Sequence, residues 1–219
     1  MTTHFVNLLD ELRRRSLRMA SLVEDMVQEA CDALFSADMA LANRVVARDR
    51  DVDSEEVQVE AEVIRLLALY QPVGSDLRLL CTILKVNNDL ERVADCAVNI
   101  AERARHLPLN FDTPRLNELR NLAARARQIL RDAVQAYSAE DDAAAGKILA
   151  ADDAVDALYA QFIRELIADS PPAPDGMASH LDILSVAKNL ERIADHATNV
   201  AEDVIYLSTG RIVRHQTGI

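Results

Sequence analysis

The sequence predicts an all-α protein made of two tandem, pseudo-symmetric three-helix bundles. The stretch 88–102 recurs almost intact at 188–202, so the two copies lie 100 residues apart. That spacing suits a duplicated small domain and exceeds the ~20–50 residues of a solenoid repeat. Ala, Leu, Val, Arg and Glu dominate, with only 5 Gly and 6 Pro in 219 residues, which is typical of helical bundles.

In the first half, helix one is predicted over about residues 5–34. Its apolar side chains recur on alternating steps of three and four, which is the pattern of a bundle seam. Asp38 is expected to cap helix two, which is predicted over 39–70, because a carboxylate accepts hydrogen bonds from the free N–H groups of a first helical turn.

Helix three is predicted to follow the break at 71–75, where Pro and Gly interrupt the helical pattern. Ser75 is expected to cap it, and the helix should run to about residue 104. The first bundle is therefore assigned to residues 1–106. Helix three contains the first copy of the repeated stretch.

The second half is predicted to repeat this order. Thr113 followed by Pro114 suits a cap and first helical residue at the end of an inter-domain linker, 106–114. The segment 138–141 resembles a capping box, and 170–176 reads as a loop. The helices are expected over about 114–137, 141–168 and 177–207, and the second bundle over 115–210.

Bulk charge and composition exclude several classes of protein. The formal net charge of −12 disfavours nucleic acid and adhesion to anionic lipid. No run of ~18 apolar residues is present, so no membrane insertion is expected, and the first residues do not resemble a signal peptide. Cys31, Cys81 and Cys96 show no C-x-x-C spacing and indicate reduced thiols in a cytoplasmic protein.

Four pairs of carboxylates stand four residues apart at matched positions in the two halves. Residues at this spacing share a helix face, and two like charges there destabilise an isolated helix by about 0.2–0.5 kcal/mol. Helices two and three of each bundle should be neighbours, so each half can collect four carboxylates. The pairs are Asp49 and Asp53, Glu91 and Asp95, Asp152 and Asp156, and Glu191 and Asp195.

Two interpretations of these pairs remain open. The carboxylates can be solvated faces, with Arg92 and Arg192 as salt-bridge partners of Asp95 and Asp195. Alternatively, they bind hard cations through oxygen, such as Mg²⁺, Mn²⁺, Fe or Zn²⁺. No His or Cys recurs in register with them, so the metal identity is only loosely specified.

The chain lacks the motifs of common catalytic sites. G-x-x-x-x-G-K, G-x-S-x-G and H-E-x-x-H are all absent, as are the E-x-x-H pairs of ferritin-like di-iron proteins. We therefore expect that the protein is not an enzyme. The rival hypotheses are a carboxylate-metal enzyme such as a phosphatase, and a helical adaptor without metal.

The stretches 90–102 and 190–202, with Asp76-Leu77-Arg78 before the first copy, closely resemble the PhoU family of phosphate-specific transport accessory proteins. The resemblance covers nearly the whole chain. It implies two three-helix bundles, a cytosolic homodimer, and metal clusters bound by the four carboxylate pairs, with Glu102 and Glu202 as outer contributors.

The resemblance also implies a regulatory role. Such proteins are thought to link the ATPase subunit of a phosphate ABC transporter to a sensor histidine kinase, keeping the starvation response off and restraining uptake. The alternative is an accessory subunit of a different, ion-coupled phosphate permease, where PhoU-like bundles also occur.

Overall fold

The computed structural model describes residues 3–105, 114–169 and 174–213, and within these ranges the regular secondary structure is α-helix, without strands. The all-α fold of two three-helix bundles is confirmed. The helices are α1 Thr3–Ser36, α2 Met39–Tyr70, α3 Gly74–Ala104, α4 Pro114–Ala139, α5 Asp142–Ala168 and α6 Pro174–Thr209.

The turns before α2 and α5 are built alike. Asp38 accepts hydrogen bonds from the backbone N–H groups of Ala40 and Leu41, both at 2.9 Å. Asp141 caps α5 in the same way through the N–H of Ala144, at 2.9 Å. The predicted cap at Asp38 is confirmed. Because Asp38 and Asp141 have the same role, residues of the two halves around these turns correspond at an offset of 103.

Three details of the predicted boundaries were wrong. α3 begins at Gly74, after an extended Val73 with no side-chain cap, so Ser75 is not the cap. Ser138 lies inside α4, which leaves Asp141 to cap α5 without a capping box. α6 begins at Pro174, inside the expected loop, because proline is tolerated in a first helical turn. The linker at 106–113 lies outside the described residues.

The two bundles lie side by side and share one apolar core. α3 packs against α6 and α1 packs against α4, while α2 and α5 lie on the outer sides of their own bundles. The main core runs from Met19 of α1 to Val204 of α6, across both bundles. A smaller cluster around Phe5, Leu66 and Leu80 fills the far end of the first bundle.

Ion pairs at both ends join α3 to α6. Lys85 Nζ lies 2.9 Å from Oδ1 of Asp203, a carboxylate that is almost fully buried. At the other end, Arg103 Nη1 lies 3.3 Å from Oδ1 of Asp182. Because early residues of α3 meet late residues of α6, the two helices are antiparallel.

A buried polar group lies at the centre of the same helix pair. Asp89 is 6% exposed, lies 2.9 Å from Nδ1 of His196, and accepts a hydrogen bond from Asn199 Nδ2 at 3.1 Å. Asn189 stands at the position that matches Asp89, and Cys96 stands at the position that matches His196. The duplication is therefore asymmetric at this contact, with the carboxylate and the imidazole on facing helices.

α1 meets α4 through a buried hydroxyl pair and surface ion pairs. Ser16 Oγ and Tyr137 Oη are 2.9 Å apart. Arg131 Nε lies 3.2 Å from Oε1 of Glu24.

Across the described ranges, no helix combines the length and the apolarity needed to cross a membrane.

Candidate metal centre

Carboxylates of α5 and α6 converge in the second half. Asp156, Glu191 and Asp195 each offer an oxygen that lies within 4.8 Å of the others. Glu191 and Asp195 reach the same point because they are four residues apart on α6, and Asp156 meets them from α5. We call these three residues, with Asp152, the second acidic cluster.

The second acidic cluster holds excess negative charge. Burial raises the pKa of Asp195 to about 6, and repulsion from Glu191, Asp152 and Asp156 adds to the rise. The pKa of Asp152 is also raised, mainly by burial, although Thr198 Oγ1 donates a hydrogen bond to Oδ1 at 3.1 Å. Such shifts mean that a cation bound here would relieve repulsion.

Lys188 supplies the one ion pair described at this cluster. Its Nζ lies 2.6 Å from Oε2 of Glu191, three residues further along α6. The lysine side chain is half exposed, so it can leave Glu191 without opening the core. Arg192, which the sequence offered as a partner of Asp195, makes no ion pair in the part of the chain that the structure describes.

The first acidic cluster consists of Asp49, Asp53, Glu91 and Asp95. Burial raises the pKa of Asp49, and so do the charges of Asp53, Asp95 and Glu102. Burial also raises the pKa of Glu91, together with repulsion from Asp95. α2 and α3 thus bring both carboxylate pairs of the first half into one electrostatic group, as α5 and α6 do in the second.

Arg92 distinguishes the first cluster from the second. Its Nε lies 3.2 Å from Oε2 of Glu91, and its Nη1 lies 3.3 Å from Oδ2 of Asp95. The salt bridge expected between Arg92 and Asp95 is therefore present. Among the described residues, the close carboxylate triad occurs in the second half alone.

Glu56 of the first half also belongs to the electrostatic group of the first acidic cluster, although it is not among the residues predicted from the sequence. Burial raises its pKa, with repulsion from Glu60 and Asp53, and its charge in turn raises the pKa of Glu91. Its position three residues after Asp53 places it one helical turn further along the same face of α2. The spacing of three residues between Asp53 and Glu56 was the signal in the sequence that could have identified Glu56.

The donor chemistry of both clusters fits hard cations. Every candidate ligand is a carboxylate oxygen, which suits Mg²⁺, Mn²⁺ and related ions better than soft metals. Cys96 lies close enough to feel the charges of Asp95 and Asp195, but burial raises the pKa of its thiol to about 11. A neutral, buried thiol is a poor ligand, so the sites would be all-oxygen.

In the described parts of the chain, six helices form two matched bundles, and each bundle has an acidic cluster between its second and third helices. This arrangement defines a duplicated all-helical protein with two carboxylate-rich surfaces. Comparison with known families narrows this class. The profile of the PhoU domain matches residues 16–104 and again 119–204. The chain belongs to the PhoU family, which confirms the resemblance expected from its motifs.

Two relatives are described as phosphate-specific transport system accessory protein PhoU homologues. The protein from Pseudomonas putida is 38% identical over 208 residues, covering 94% of this chain and 81% of the relative. The protein from Aquifex aeolicus is 39% identical over 211 residues, covering 95% and 94%.

Two crystal structures share the fold. PhoU from Pseudomonas aeruginosa superposes with a TM-score of 0.90 at 36% identity, covering 94% of this chain and all of the other. The phosphate transport system regulatory protein PhoU from Streptococcus pneumoniae gives a TM-score of 0.87 at 28% identity, covering 95% and 99%.

Proposed function

We propose that this chain is a cytoplasmic accessory protein of phosphate transport that restrains phosphate uptake and the starvation response. In this role it acts between the ATPase subunit of a phosphate ABC transporter and a sensor histidine kinase. The observation that carries the proposal is the match of both bundles to proteins named as accessory or regulatory components of phosphate transport.

The role proposed is binding without catalysis. The relatives reported above carry the names of accessory or regulatory proteins. Long helices packed on a shared core offer the kind of rigid surface that suits docking onto other proteins.

We further propose that the two acidic clusters bind divalent or trivalent metal ions, with Fe, Zn, Mn and Mg as the candidates. The eight carboxylates that would act as ligands are those of the four pairs given by the sequence. The support lies in the convergence of Asp156, Glu191 and Asp195 and in the raised pKa of Asp195. Bound metal would neutralise these charges and present positive charge to phosphate or to an acidic partner.

A homodimer is part of the same proposal. α2 carries an exposed apolar stripe on its outer side, where neither of its neighbours α1 and α3 covers it. Two members of the stripe, Val57 and Ile64, are 62% and 53% exposed, and such unpartnered stripes mark contacts between proteins. Ile64→Glu is expected to shift the chain toward monomer in sedimentation experiments. The stripe consists of Val57, Ala61, Ile64 and Ala68.

A starvation reporter tests the regulatory role. Alkaline phosphatase activity would be measured in a deletion strain grown in ample phosphate. We expect high alkaline phosphatase activity in the deletion strain, and the intact gene should restore it to a low level. A gene that carries both Asp95→Ala and Asp195→Ala should fail to restore the low level. Low activity in the deletion strain together with altered phosphate uptake would contradict the kinase link and favour the ion-coupled permease.

A further inference from the structure

An open groove runs between α4 and α5, and none of its lining residues belongs to either acidic cluster. Its volume is about 320 Å³. We call it the α4–α5 groove. Its walls include Ile129, Asp132 and Ala136 on α4, and Ala144, Lys147 and Ala151 on α5.

The first bundle shows why the groove is open. When the two halves are aligned so that Asp141 matches Asp38, Ala144 of α5 matches Leu41 of α2. In the same alignment, Ala151 matches Arg48. Leu41 packs against the core, and Arg48 Nη1 lies 3.0 Å from Oε2 of Glu29. In the second bundle, both of these long side chains are replaced by methyl groups.

Among the described residues, Asp132 has no partner like the Arg48 guanidinium that pairs with its counterpart Glu29 in the first bundle. It occupies the position of Glu29, but alanine stands where the arginine would be. In the part of the chain described, its one hydrogen-bond partner is Gln128 Nε2, at 2.8 Å, on its own helix. The groove therefore combines an apolar floor with a half-buried carboxylate that has no ion pair among the described residues.

We propose that the α4–α5 groove docks a basic amphipathic helix of a partner protein. One aliphatic side chain of that helix would enter the hollow beside Ala144, and one arginine would pair with Asp132. The charge of the groove supports this occupant, because its lining has two carboxylates, Asp132 and Asp141, against the single ammonium of Lys147. An amphipathic helix in an apolar groove is a common mode of recognition.

The first bundle also indicates the spacing of the two anchors. Leu41 and Arg48 are seven residues apart, so they lie on one face of a helix, two turns apart. A partner helix that fills the same two volumes would carry its aliphatic residue and its arginine at a similar spacing. This proposal is independent of the acidic clusters and of the regulatory role.

A designed peptide provides the probe. It is a fluorescein-labelled helix of about 18 residues, or five turns, with one leucine and one arginine seven positions apart on a background of alanine, lysine and glutamine. Fluorescence anisotropy would measure its binding to the full chain. A scrambled peptide of the same composition controls for charge alone.

The test variant refills the groove with the first bundle's own side chains. Ala144→Leu with Ala151→Arg is expected to keep its melting temperature and to weaken binding at least about tenfold, since it removes both the hollow and the free carboxylate. Asp132→Asn is expected to weaken binding several-fold and to leave the fold intact. Ala160→Arg adds the same cation at an exposed site of α5 outside the groove and should leave binding unchanged.

Three results would overturn the proposal. The first is that the helical peptide shows no saturable binding, or binds no better than its scrambled form. The second is that both Asp132→Asn and the refilled variant bind it as the wild type does. The third is that refilling the groove converts a dimer into a monomer, which would assign the groove to a second copy of the chain.

Discussion

The carboxylate of Asp89, in the first bundle, lies 2.9 Å from Nδ1 of His196, in the second, and accepts a hydrogen bond from Asn199 at 3.1 Å. Asp89→Ala should lower the free energy of unfolding by about 1–3 kcal/mol, because it leaves the partly buried side chains of His196 and Asn199 without this partner. Urea unfolding of metal-free protein measures the loss. Asn189→Ala is the matched control, since the hydrogen bond of Asn189 among the described residues lies within its own helix, to Ser185 O at 2.8 Å. Equal losses would contradict the prediction.

The buried hydroxyl pair between α1 and α4 predicts a coupling energy. Tyr137→Phe should cost about 1 kcal/mol, because Ser16 then keeps a buried hydroxyl without its partner. Ser16→Ala should cost a similar amount. The double variant should lose less free energy of unfolding than the sum of the two single losses. Chemical unfolding of all four proteins in a double-mutant cycle measures this difference. Losses that simply add would argue against the hydrogen bond.

The charge excess in the second acidic cluster predicts a pH effect in metal-free protein. Burial, aided by Glu191, raises the pKa of Asp195 to about 6, so the folded chain holds this proton more tightly than the unfolded chain. That stabilisation is complete below the ordinary pKa of 3.8 and is lost as pH rises through about 6.

Asp195→Asn should therefore melt at a higher temperature than the wild type near pH 8, where the wild-type carboxylate is charged and repelled, but not near pH 4. Thermal melting at both pH values, with a chelator present, provides the comparison. Asp153→Asn removes an exposed carboxylate of α5 that lies outside the close triad. A pH-dependent gain as large in this control would show that net charge, not the cluster, is responsible.

Thiol reactivity should differ among the three cysteines. Burial raises the pKa of Cys31 to about 12 and that of Cys96 to about 11, so both are neutral near pH 8 and react slowly. Cys81 is partly exposed. One thiol per chain should react fast with Ellman's reagent, Cys81→Ser should abolish that phase, and unfolding should release the others; two fast thiols in the folded wild type would contradict this account.

The helices were predictable from sequence because their apolar residues recur with helical spacing over long, nearly glycine-free segments. The partnership of each acidic pair on α3 or α6 with one on α2 or α5 followed from the expectation that the second and third helices of each bundle are neighbours. The boundaries were less certain, since Ser75, Ser138 and Pro174 suit more than one position near a helix end. Local chemistry permits several caps, and packing of the whole helix decides among them.

The contacts between the bundles were not predictable from periodicity. Nothing in the apolar pattern states that α3 should face α6 or that Asp89 should meet His196. A signal did exist within the duplication, because Asp89 and His196 both differ from their matching residues, Asn189 and Cys96. Two unlike substitutions that meet across one interface are an internal form of covariation, but the structure is needed to show which residues meet.

Metal content tests the acidic clusters most directly. Purified protein would be loaded with Mn²⁺, Zn²⁺ or Fe, dialysed to equilibrium and examined by elemental analysis beside a triple variant, Asp156→Asn, Glu191→Gln and Asp195→Asn, with Asp153→Asn as the control. We predict that the wild type and the control retain metal, and that the triple variant loses the share held by the second cluster. A wild type that emerges without metal, or a triple variant with unchanged content, would contradict the proposal that these carboxylates are ligands.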